Sequence, residues 1–301
     1  MGGRTTDRRA LRLDCRPHSG RRRSSRAARA QDRAGAALIL ADTAYAKVNL
    51  ALHVRRKRAD GYHDLETVFA FCGDGDRLTV EPAESLSLTI DGPFAAALGD
   101  GSDNLVLRAA QAFGSVKGAC LRLTKNLPVA SGIGGGSADA AATLRLLSTL
   151  WQCPMPDLDT QLKLGADCPA CVLSQTMRGE GVGEQLQGGP DVSGTPILLI
   201  NPGVAVSTRD VFARWDGFDR GPLIDWRDGR NDLETAARAL APAIGNLLAW
   251  LNARYDVVTA RMSGSGATCF ALFETRVARD KVAREADTAF PGYWQLATLL
   301  R

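Results

Sequence analysis

The sequence has no apolar run that approaches the ~18 residues a helix needs to cross a membrane. Its longest apolar stretches, 34–41 and 196–200, are much shorter, and it has no tandem repeats. Its content of 45% hydrophobic and 23% charged residues is close to ordinary globular usage, which excludes collagen-like, low-complexity and wholly disordered chains. We therefore expect a folded protein with no membrane partner, and its 301 residues are enough for two domains.

A basic surplus is missing from most of the chain. Residues 1–40 hold 11 Arg and 3 Asp, a net charge of +8, whereas residues 41–301 hold 26 basic and 30 acidic groups, a net charge of −4. A general nucleic-acid binder carries its basic surplus within a folded domain, so we expect no nucleic-acid partner. Because the first 33 residues have almost no large apolar side chains, 1–40 is predicted to be a disordered Arg-rich extension. An over-extended start and a targeting segment are the alternatives.

A disulfide framework is also missing. The seven cysteines are odd in number and scattered, unlike those of a small secreted domain, so we expect a cytoplasmic protein. Cys168 and Cys171 form a Cys-x-x-Cys pair of the kind used in redox and zinc sites. No second such pair is present and the chain has only three histidines, which argues against zinc. A redox role stays as a minor alternative.

Strand and helix patterns alternate along residues 41–301. Apolar residues at every second position from Ala44 to Val54 predict a strand, and its polar face carries Lys47 and Asn49. The alternative is an ordinary solvated face. Further patterns predict strands at 66–71, 77–80, 85–90, 119–125, 197–200, 257–262 and 268–273, and helices at 104–113, 135–150, 157–164, around 232–255 and after 277.

The order of these elements is typical of an α+β protein. Polar and turn residues cluster at 190–196, between patterned stretches, which predicts a domain boundary near residue 190. The predicted domains are therefore 41–190 and 191–301.

A glycine loop at 128–137 precedes an alanine-rich helix. Such a loop lets backbone N–H groups turn inward, and the helix directs its positive end into the same space, which suits a polyphosphate. No Lys-Ser or Lys-Thr follows the last glycine, so this is not a Walker loop, and the dinucleotide pattern does not fit either. Close helix packing through small residues is the alternative. A second, weaker glycine loop lies at 262–268.

Together, the strand at 44–50 and the two glycine loops resemble the three motifs of the galactokinase, homoserine kinase, mevalonate kinase and phosphomevalonate kinase (GHMP) superfamily. The resemblance covers roughly residues 42–300. It implies a two-domain GHMP-kinase-like α+β architecture, with an N-terminal ribosomal-protein-S5-like ATP-binding domain and a C-terminal ferredoxin-like α/β sandwich domain.

Four further stretches, at 60–69, 164–169, 178–184 and 201–212, resemble the branch of this superfamily that phosphorylates 4-diphosphocytidyl-2-C-methyl-D-erythritol. The resemblance implies transfer of a phosphoryl group from ATP to the 2-hydroxyl of that substrate, in the non-mevalonate isoprenoid pathway. It also implies Mg²⁺ as the counter-ion of ATP, with Ser137 as a candidate ligand, and a monomer or homodimer.

The same resemblance assigns site residues. It makes Asp167 the base and Lys47 its partner. The implied ATP-binding residues are Asn104, Lys125, Pro128, Ser131, Gly132, Ile133, Gly134, Gly135, Gly136 and Ser137. The implied substrate-binding residues are Asn49, Tyr62, His63, Phe69, Thr208 and Phe212. The implied phosphate loop of the second domain is Gly264, Ser265 and Gly266.

Within the substrate set, Tyr62 and Phe212 are expected to stack on the cytosine and His63 to bind its edge. For Phe69 a core position is the favoured alternative.

Three rival functions stay open. One is a kinase of the same superfamily with another alcohol acceptor, although the Tyr62-His63 turn argues against it. The others are a nonenzymatic nucleotide sensor and a redox protein that uses Cys168 and Cys171. Release of ADP on addition of the cytidyl substrate separates the kinase from the last two.

Overall fold

The computed structural model describes residues 38–98, 104–114 and 117–301. All but the last three residues of the predicted extension 1–40 lie outside this range, so its disorder stays a prediction. Within the described part of the chain, no helix combines the length and the apolar character that crossing a membrane requires.

The first half of the chain forms a mixed sheet. Its strands are β1 (Leu40–Lys57), β2 (His63–Pro82), β3 (Leu86–Asp91), β4 (Ala119–Thr124), β5 (Met177–Gly181) and β6 (Gln185–Gly188). They lie in the order β3-β4-β2-β5-β6, and β1 pairs with β2. Strand β2 pairs with β5 through its first half and with β4 through its second half, while β1 runs antiparallel along nearly its whole length. Strand β2 is therefore the centre of the sheet, and β1 is paired along it.

Four helices accompany this sheet. They are α1 (Leu105–Gln111), α2 (Gly135–Trp151), α3 (Leu158–Leu164) and α4 (Cys168–Leu173). Helix α2 packs on β1 and β2 through small side chains, among which Ala140, Ala141 and Ala142 are fully buried. The helices predicted at 104–113, 135–150 and 157–164 agree with α1, α2 and α3 to within two residues at each end.

The second half of the chain forms an antiparallel sheet with its own helices. Its strands are β7 (Pro196–Asn201), β8 (Thr259–Met262), β9 (Cys269–Leu272) and β10 (Trp294–Leu299), in the order β10-β7-β9-β8. Its helices are α5 (Thr208–Ala213), α6 (Glu234–Leu240), α7 (Pro242–Asn252) and α8 (Arg276–Ala289). Strand, helices, two strands, helix and strand follow one another in the ferredoxin-like pattern. The predicted α+β fold with a ferredoxin-like second part is confirmed.

Three groups of buried apolar residues hold these layers together. One lies between the first sheet and α2, and a second lies between the second sheet and its helices. The third joins the two sheets, because Ala46 and Val48 of β1 pack with Leu199 of β7 and Phe270 of β9. The first sheet ends at Gly188 and the second begins at Pro196, and the domain boundary near 190 stays a prediction.

The polar face of β1 is not solvated. Lys47 and Asn49 are each only 3% exposed. The loops and helices of both halves cover this face, so polar side chains that look like an ordinary outer face in the sequence are enclosed. The alternative of a solvated face is therefore wrong, and these buried groups need partners.

We predict that Phe270→Ala strongly destabilises the fold. Phe270 is fully buried between the two sheets, and truncating a buried phenylalanine costs about 3–5 kcal/mol of unfolding free energy. Phe218→Ala is the matched control: Phe218 is 65% exposed, so its loss should change stability by less than about 0.5 kcal/mol. Urea unfolding measures both variants, and equal effects of the two would contradict this account of the core.

Candidate active site

The first glycine loop leaves the N-terminus of α2 open. Gly134 takes a left-handed conformation (φ 67°) as the residue before the helix, and no side chain of the described residues caps it. The first N–H groups of a helix have no acceptor within the helix and carry partial positive charge. Gly135 and Gly136 therefore present backbone donors without side chains in the way. This end of α2 can hold an anion.

Strand β1 and this loop are bonded to each other. The backbone N–H of Lys47 donates to the carbonyl of Ile133 at 2.9 Å. A Cβ atom at Gly134 would lie 3.0 Å from Cε of Lys47 and 3.8 Å from Oδ2 of Asp167. Because position 134 is glycine, the lysine and the aspartate can lie against the loop backbone.

Lys47 and Asp167 form an ion pair at this point. The Nζ of Lys47 lies 2.9 Å from Oδ2 of Asp167 and donates to Oδ1 of Asn49 at 2.8 Å. It also lies 5.3 Å from the centre of the Phe69 ring. Asp167 comes directly before α4, and its side chain keeps 32% of its surface exposed. The lysine is thus enclosed, while the carboxylate still faces the cleft.

The second glycine loop packs on the first. A Cβ atom at Gly132 would lie only 2.6 Å from the carbonyl oxygens of Gly266 and Ser263, so neither loop has room for a side chain there. The Ser263 hydroxyl donates to the carbonyl of Gly132 at 2.9 Å and accepts the backbone N–H of Asn49 at 3.1 Å. Ser263 therefore ties the second loop to the first loop and to β1.

Two cavities meet around the loops. The larger has a volume of ≈ 370 Å³, and residues from both halves of the chain line it. They are Lys47, Asn49, Leu52, Leu65, Phe69, Leu105, Ala130, Ser131, Gly132, Gly134, Gly135, Gly136, Ser137, Ala166, Asp167, Val182, Thr208, Phe212, Leu233, Gly264 and Ser265. The other, ≈ 350 Å³, is lined by Leu98, Asn104, Leu105, Lys125, Pro128, Val129, Ala130, Gly135, Gly136 and Asp139. They share four lining residues, so they form one cleft with the α2 N-terminus between them.

Lys125 has its charge balanced by two buried aspartates. Its Nζ lies 2.5 Å from Oδ2 of Asp76 and 2.6 Å from Oδ2 of Asp139, and all three side chains are at least 96% buried. Asp76 also accepts the backbone N–H groups of Asn126 and Leu127, which begin the glycine loop. The cluster therefore anchors this loop, and Lys125 has little free charge for a phosphate.

Charge balance fixes the protonation of this cluster. Two carboxylates and one ammonium would bury a net negative charge, which is costly. Burial raises the pKa of Asp139 to about 8, against the opposing effect of the Lys125 charge. Burial lowers the pKa of Lys125, but the Asp139 and Asp76 carboxylates outweigh it and raise that pKa above its usual range. The folded cluster is neutral when Asp139 holds a proton.

An aromatic cluster adjoins the larger cavity through Phe212, whereas His63 and Trp215 line neither cavity. The His63 ring packs against Phe212 at 4.9 Å between ring centres and against Trp215 at 5.6 Å. Burial, with a smaller effect of Lys57, lowers the pKa of His63, so its imidazole is neutral at neutral pH. A neutral imidazole offers one donor and one acceptor. Tyr62, on the turn before it, is 62% exposed and does not line either cavity.

The structure thus brings most of the predicted residues to one cleft. Asn104 and Pro128 line the smaller cavity, and Asn104 also caps α1 by accepting the N–H of Val106. Ile133 and Gly266 line neither cavity: Ile133 is buried, and the Gly266 backbone packs on the first loop. Thr208 lies at the rim, with its hydroxyl 2.8 Å from that of Ser265.

Several supporting residues were not predicted as part of the site. The Asn231 side chain donates to the carbonyls of Met262 and Gly264 at 2.8 Å each, and Asp232 accepts the backbone N–H of Val54. The two Asn231 bonds hold the second glycine loop in place, and the Asp232 bond holds β1. The only signal in the sequence was an Asn-Asp pair at the head of an apolar-patterned helix, which is common in ordinary loops.

The Cys-x-x-Cys pair is poorly suited to redox chemistry. Cys168 and Cys171 are almost fully buried at the start of α4, where they join the first core. Burial raises the pKa of the Cys168 thiol to about 12, and that of Cys171 well above its usual range. Reactivity belongs to the thiolate, so these groups are unreactive at neutral pH.

The cleft and the two-part fold define the class of the protein. The family model for the N-terminal domain of GHMP kinases matches residues 104–175, and the model for their C-terminal region matches residues 216–292. A crystal structure of L. major mevalonate kinase with R-mevalonate has the same fold, with a TM-score of 0.61, 16% identity and coverage of 86% of this chain and 95% of that one. The chain is a kinase of the GHMP class.

More similar relatives define the branch. Proteins called 4-diphosphocytidyl-2-C-methyl-D-erythritol kinase from Rhizorhabdus wittichii and Sphingopyxis alaskensis are 49% and 48% identical, over 86% of this chain and 94% and 98% of theirs. A crystal structure of 4-(cytidine 5'-diphospho)-2C-methyl-D-erythritol kinase matches with a TM-score of 0.73 at 33% identity, over 87% of this chain and 99% of that one. The chain belongs to the 4-diphosphocytidyl-2-C-methyl-D-erythritol kinase family.

We predict that Asp139→Asn flattens the dependence of stability on pH. As the pH rises from 3.8, the ordinary value of an aspartate, to about 8, the unfolded chain loses the proton that folded Asp139 keeps, so stability falls. The asparagine keeps the volume and has no proton to lose. Thermal unfolding of both proteins from pH ~5 to ~9 measures the difference. A difference in Tm between them that stays constant over this range would contradict the neutral cluster.

Proposed function

We propose that this chain transfers the γ-phosphoryl group of ATP to the 2-hydroxyl of 4-diphosphocytidyl-2-C-methyl-D-erythritol, giving the 2-phosphate and ADP in the non-mevalonate isoprenoid pathway. The observation that carries the proposal is the ion pair of Lys47 and Asp167 beside the uncapped N-terminus of α2, within one cleft. The similar proteins are called kinases of this compound, which supports it as the phosphoryl acceptor.

Phosphoryl transfer requires alignment and charge stabilisation more than covalent help from the protein. In this proposal the backbone N–H groups of 135–137 bind the phosphates of ATP, where the helix end favours negative charge. The smaller cavity takes the nucleoside, because Leu98, Leu105, Pro128 and Val129 give it apolar walls beside the polar Asn104. The γ-phosphoryl group then lies at the junction with the larger cavity.

Asp167 is the base in this mechanism. Its exposed carboxylate takes the proton of the 2-hydroxyl while the oxygen forms its bond to the γ-phosphorus, and the bond between that phosphorus and the bridging oxygen breaks to release ADP. Proton transfer must accompany bond formation, because an alcohol is far less acidic than a carboxylic acid. The ion pair with Lys47 holds this carboxylate in place, and the ammonium supplies positive charge beside the transferred group.

The donor set also fits Mg²⁺ that arrives with ATP. Mg²⁺ prefers oxygen ligands, keeps several waters and is usually held by one or two carboxylates plus substrate phosphates. The Ser137 hydroxyl and the Asp167 carboxylate both line the larger cavity, and the described residues contain no cluster of three or more His, Cys, Asp or Glu that could form a dedicated site. When bound, the ion would neutralise phosphate charge.

The cytidine is proposed to bind at the aromatic end of the cleft. Phe212 lines the larger cavity, and His63 packs on its ring with a neutral imidazole. In this arrangement Phe212 stacks on the cytosine and His63 reaches its edge. Thr208, Ser265 and Asn49 supply hydroxyl and amide groups for the diphosphate and the methylerythritol hydroxyls. Tyr62, exposed on the turn before His63, is proposed to stack on the base as well, and Phe69 lines the cavity beside Lys47.

We predict that Asp167→Asn lowers kcat by ~10²- to 10⁴-fold, the usual contribution of a general base. The amide keeps the shape of the carboxylate but cannot take the proton. Coupled detection of ADP with Mg²⁺, ATP and the cytidyl substrate measures kcat. Asp159→Asn is the control, because Asp159 is an exposed acid in the first turn of α3. Activity of Asp167→Asn equal to that of the control would remove Asp167 as the base.

We also predict that Phe212→Leu raises KM for the cytidyl substrate by about 10- to 100-fold, since stacking a base on an aromatic ring contributes about 1–3 kcal/mol. KM for ATP should stay unchanged. Phe212→Tyr is the matched control, because it keeps a flat ring at the same place and should bind the substrate nearly normally. An unchanged KM in Phe212→Leu would contradict the stacking.

A further inference from the structure

Thr67 carries a buried hydroxyl where an apolar side chain would suit the strand. It lies in β2, it is 0% exposed, and its neighbours Val68, Phe69, Ala70 and Phe71 are buried as well. Valine has the same shape and favours strands, whereas a buried hydroxyl is unfavourable unless it forms hydrogen bonds. The partners of this hydroxyl therefore explain its presence.

Thr67 and Asn49 lie on one face of the β1–β2 ladder. Asn49 lies opposite Phe69, and Thr67 is two residues before Phe69, so its side chain points to the same side. The ladder shifts register between Asn49 and Ala51, which marks a bulge in β1. Next to this bulge the Thr67 hydroxyl donates to the carbonyl of Ala51 at 2.7 Å and accepts the Nδ2 group of Asn49 at 2.8 Å.

The number of protons then fixes the orientation of the Asn49 amide. A threonine hydroxyl has one proton, and here it is given to the Ala51 carbonyl, so toward Asn49 the oxygen is only an acceptor. The amide group that faces Thr67 must therefore be the NH₂ group. The other end of the amide, Oδ1, is directed at the Nζ of Lys47, which has only protons to donate.

We propose that Thr67 is a positioning residue for phosphoryl transfer: through the Asn49 amide it holds the Lys47 ammonium against Asp167. The hydrogen bonds run in one direction, from Lys47 to Asn49 to Thr67 to the Ala51 carbonyl, and at each step a donor faces an acceptor. Thr67 does not line either cavity, so it acts without touching ATP or the acceptor. The inference rests on the proposed function, because it concerns the residues that carry the transfer.

Without the Thr67 hydroxyl, this series of hydrogen bonds would be broken. The Nδ2 group of Asn49 would have no partner at that position, and a rotated amide would turn its NH₂ group toward the Lys47 ammonium, where two donors meet. Lys47 has a long side chain, and it would then keep only one of its two acceptors, Asp167. A reacting group displaced by about 1 Å can cost about 100-fold in rate.

The decisive experiment compares two replacements of Thr67. Thr67→Val keeps the shape without the hydroxyl and should lower kcat by about 10- to 100-fold with little change in KM for ATP. Thr67→Ser keeps the hydroxyl and should restore most of kcat. Thr143→Val is the matched control: Thr143 is also 0% exposed and bonds only the Asp139 carbonyl in its own helix, so kcat should not fall. Equal kcat in Thr67→Val and wild type would overturn the proposal.

A double-mutant cycle separates positioning from a purely structural role. If Thr67 acts through the amide, Thr67→Val should have almost no further effect on kcat in the Asn49→Ala background. A structural role would cost the same factor in both backgrounds and would overturn the proposal. Circular dichroism and thermal unfolding show whether each variant is folded, and Thr67→Ala, which also lacks the hydroxyl, gives the test if Thr67→Val is not folded.

A crystal structure of Thr67→Val gives a readout that needs no turnover. We expect the Asn49 amide to rotate and the contact of Lys47 Nζ with Asn49 Oδ1 to be lost; retention of this contact at 2.8 Å would overturn the inference. If wild-type protein releases no ADP with the cytidyl substrate, the proposed function fails on its own. The geometry of Lys47 in the variant then still decides the role of Thr67.

Discussion

The ion pair of Lys47 and Asp167 is the interaction on which the cleft depends. Its two members come from β1 and from the turn before α4, 120 positions apart in the chain. The backbone of the first glycine loop lies beside them: the N–H of Lys47 donates to the carbonyl of Ile133, and a Cβ atom at Gly134 would lie 3.0 Å from the lysine Cε. The second glycine loop closes the arrangement through Ser263, which bonds both the first loop and β1. A side chain at 132 would clash with the backbone of the second loop, and one at 134 would crowd the Lys47 side chain.

The two buried lysines show how surroundings decide the use of a charge. Lys125 contacts two carboxylates, and the proton on Asp139 makes that cluster neutral, so it can only support the loop. Lys47 contacts one carboxylate and one neutral amide, so its ion pair is also neutral overall, but this pair lies in the cleft beside the open end of α2. The partial positive charge of this helix end, rather than Lys125, is therefore the feature that favours an anion at the junction of the two cavities.

The sequence patterns predicted those helices and strands whose own residues show a clear spacing of apolar or small side chains. Helix α2 and the loop before it were found from alanine and glycine spacing, and β1 from apolar alternation. Strands β5, β6 and β10 and helices α4 and α5 were missed, because each is only four to six residues long and is held by its neighbours in the sheet or by packing. Asn231, Ser263 and Thr67 were missed for a related reason: each acts through partners distant in sequence, so its neighbours in the chain say nothing of them.

The sequence by itself determined which chemical groups are available: a lysine on the polar side of a strand, two glycine-rich loops, and an aspartate in the turn after a predicted helix. These follow from spacing and residue type, since a pattern of period two or a run of glycines restricts the backbone locally. Only the tertiary structure decided that Lys47 is enclosed rather than solvated, that Lys125 is neutralised, and that Thr67 orients Asn49. Burial and hydrogen-bond direction depend on the elements that pack against a side chain, and those come from distant parts of the chain.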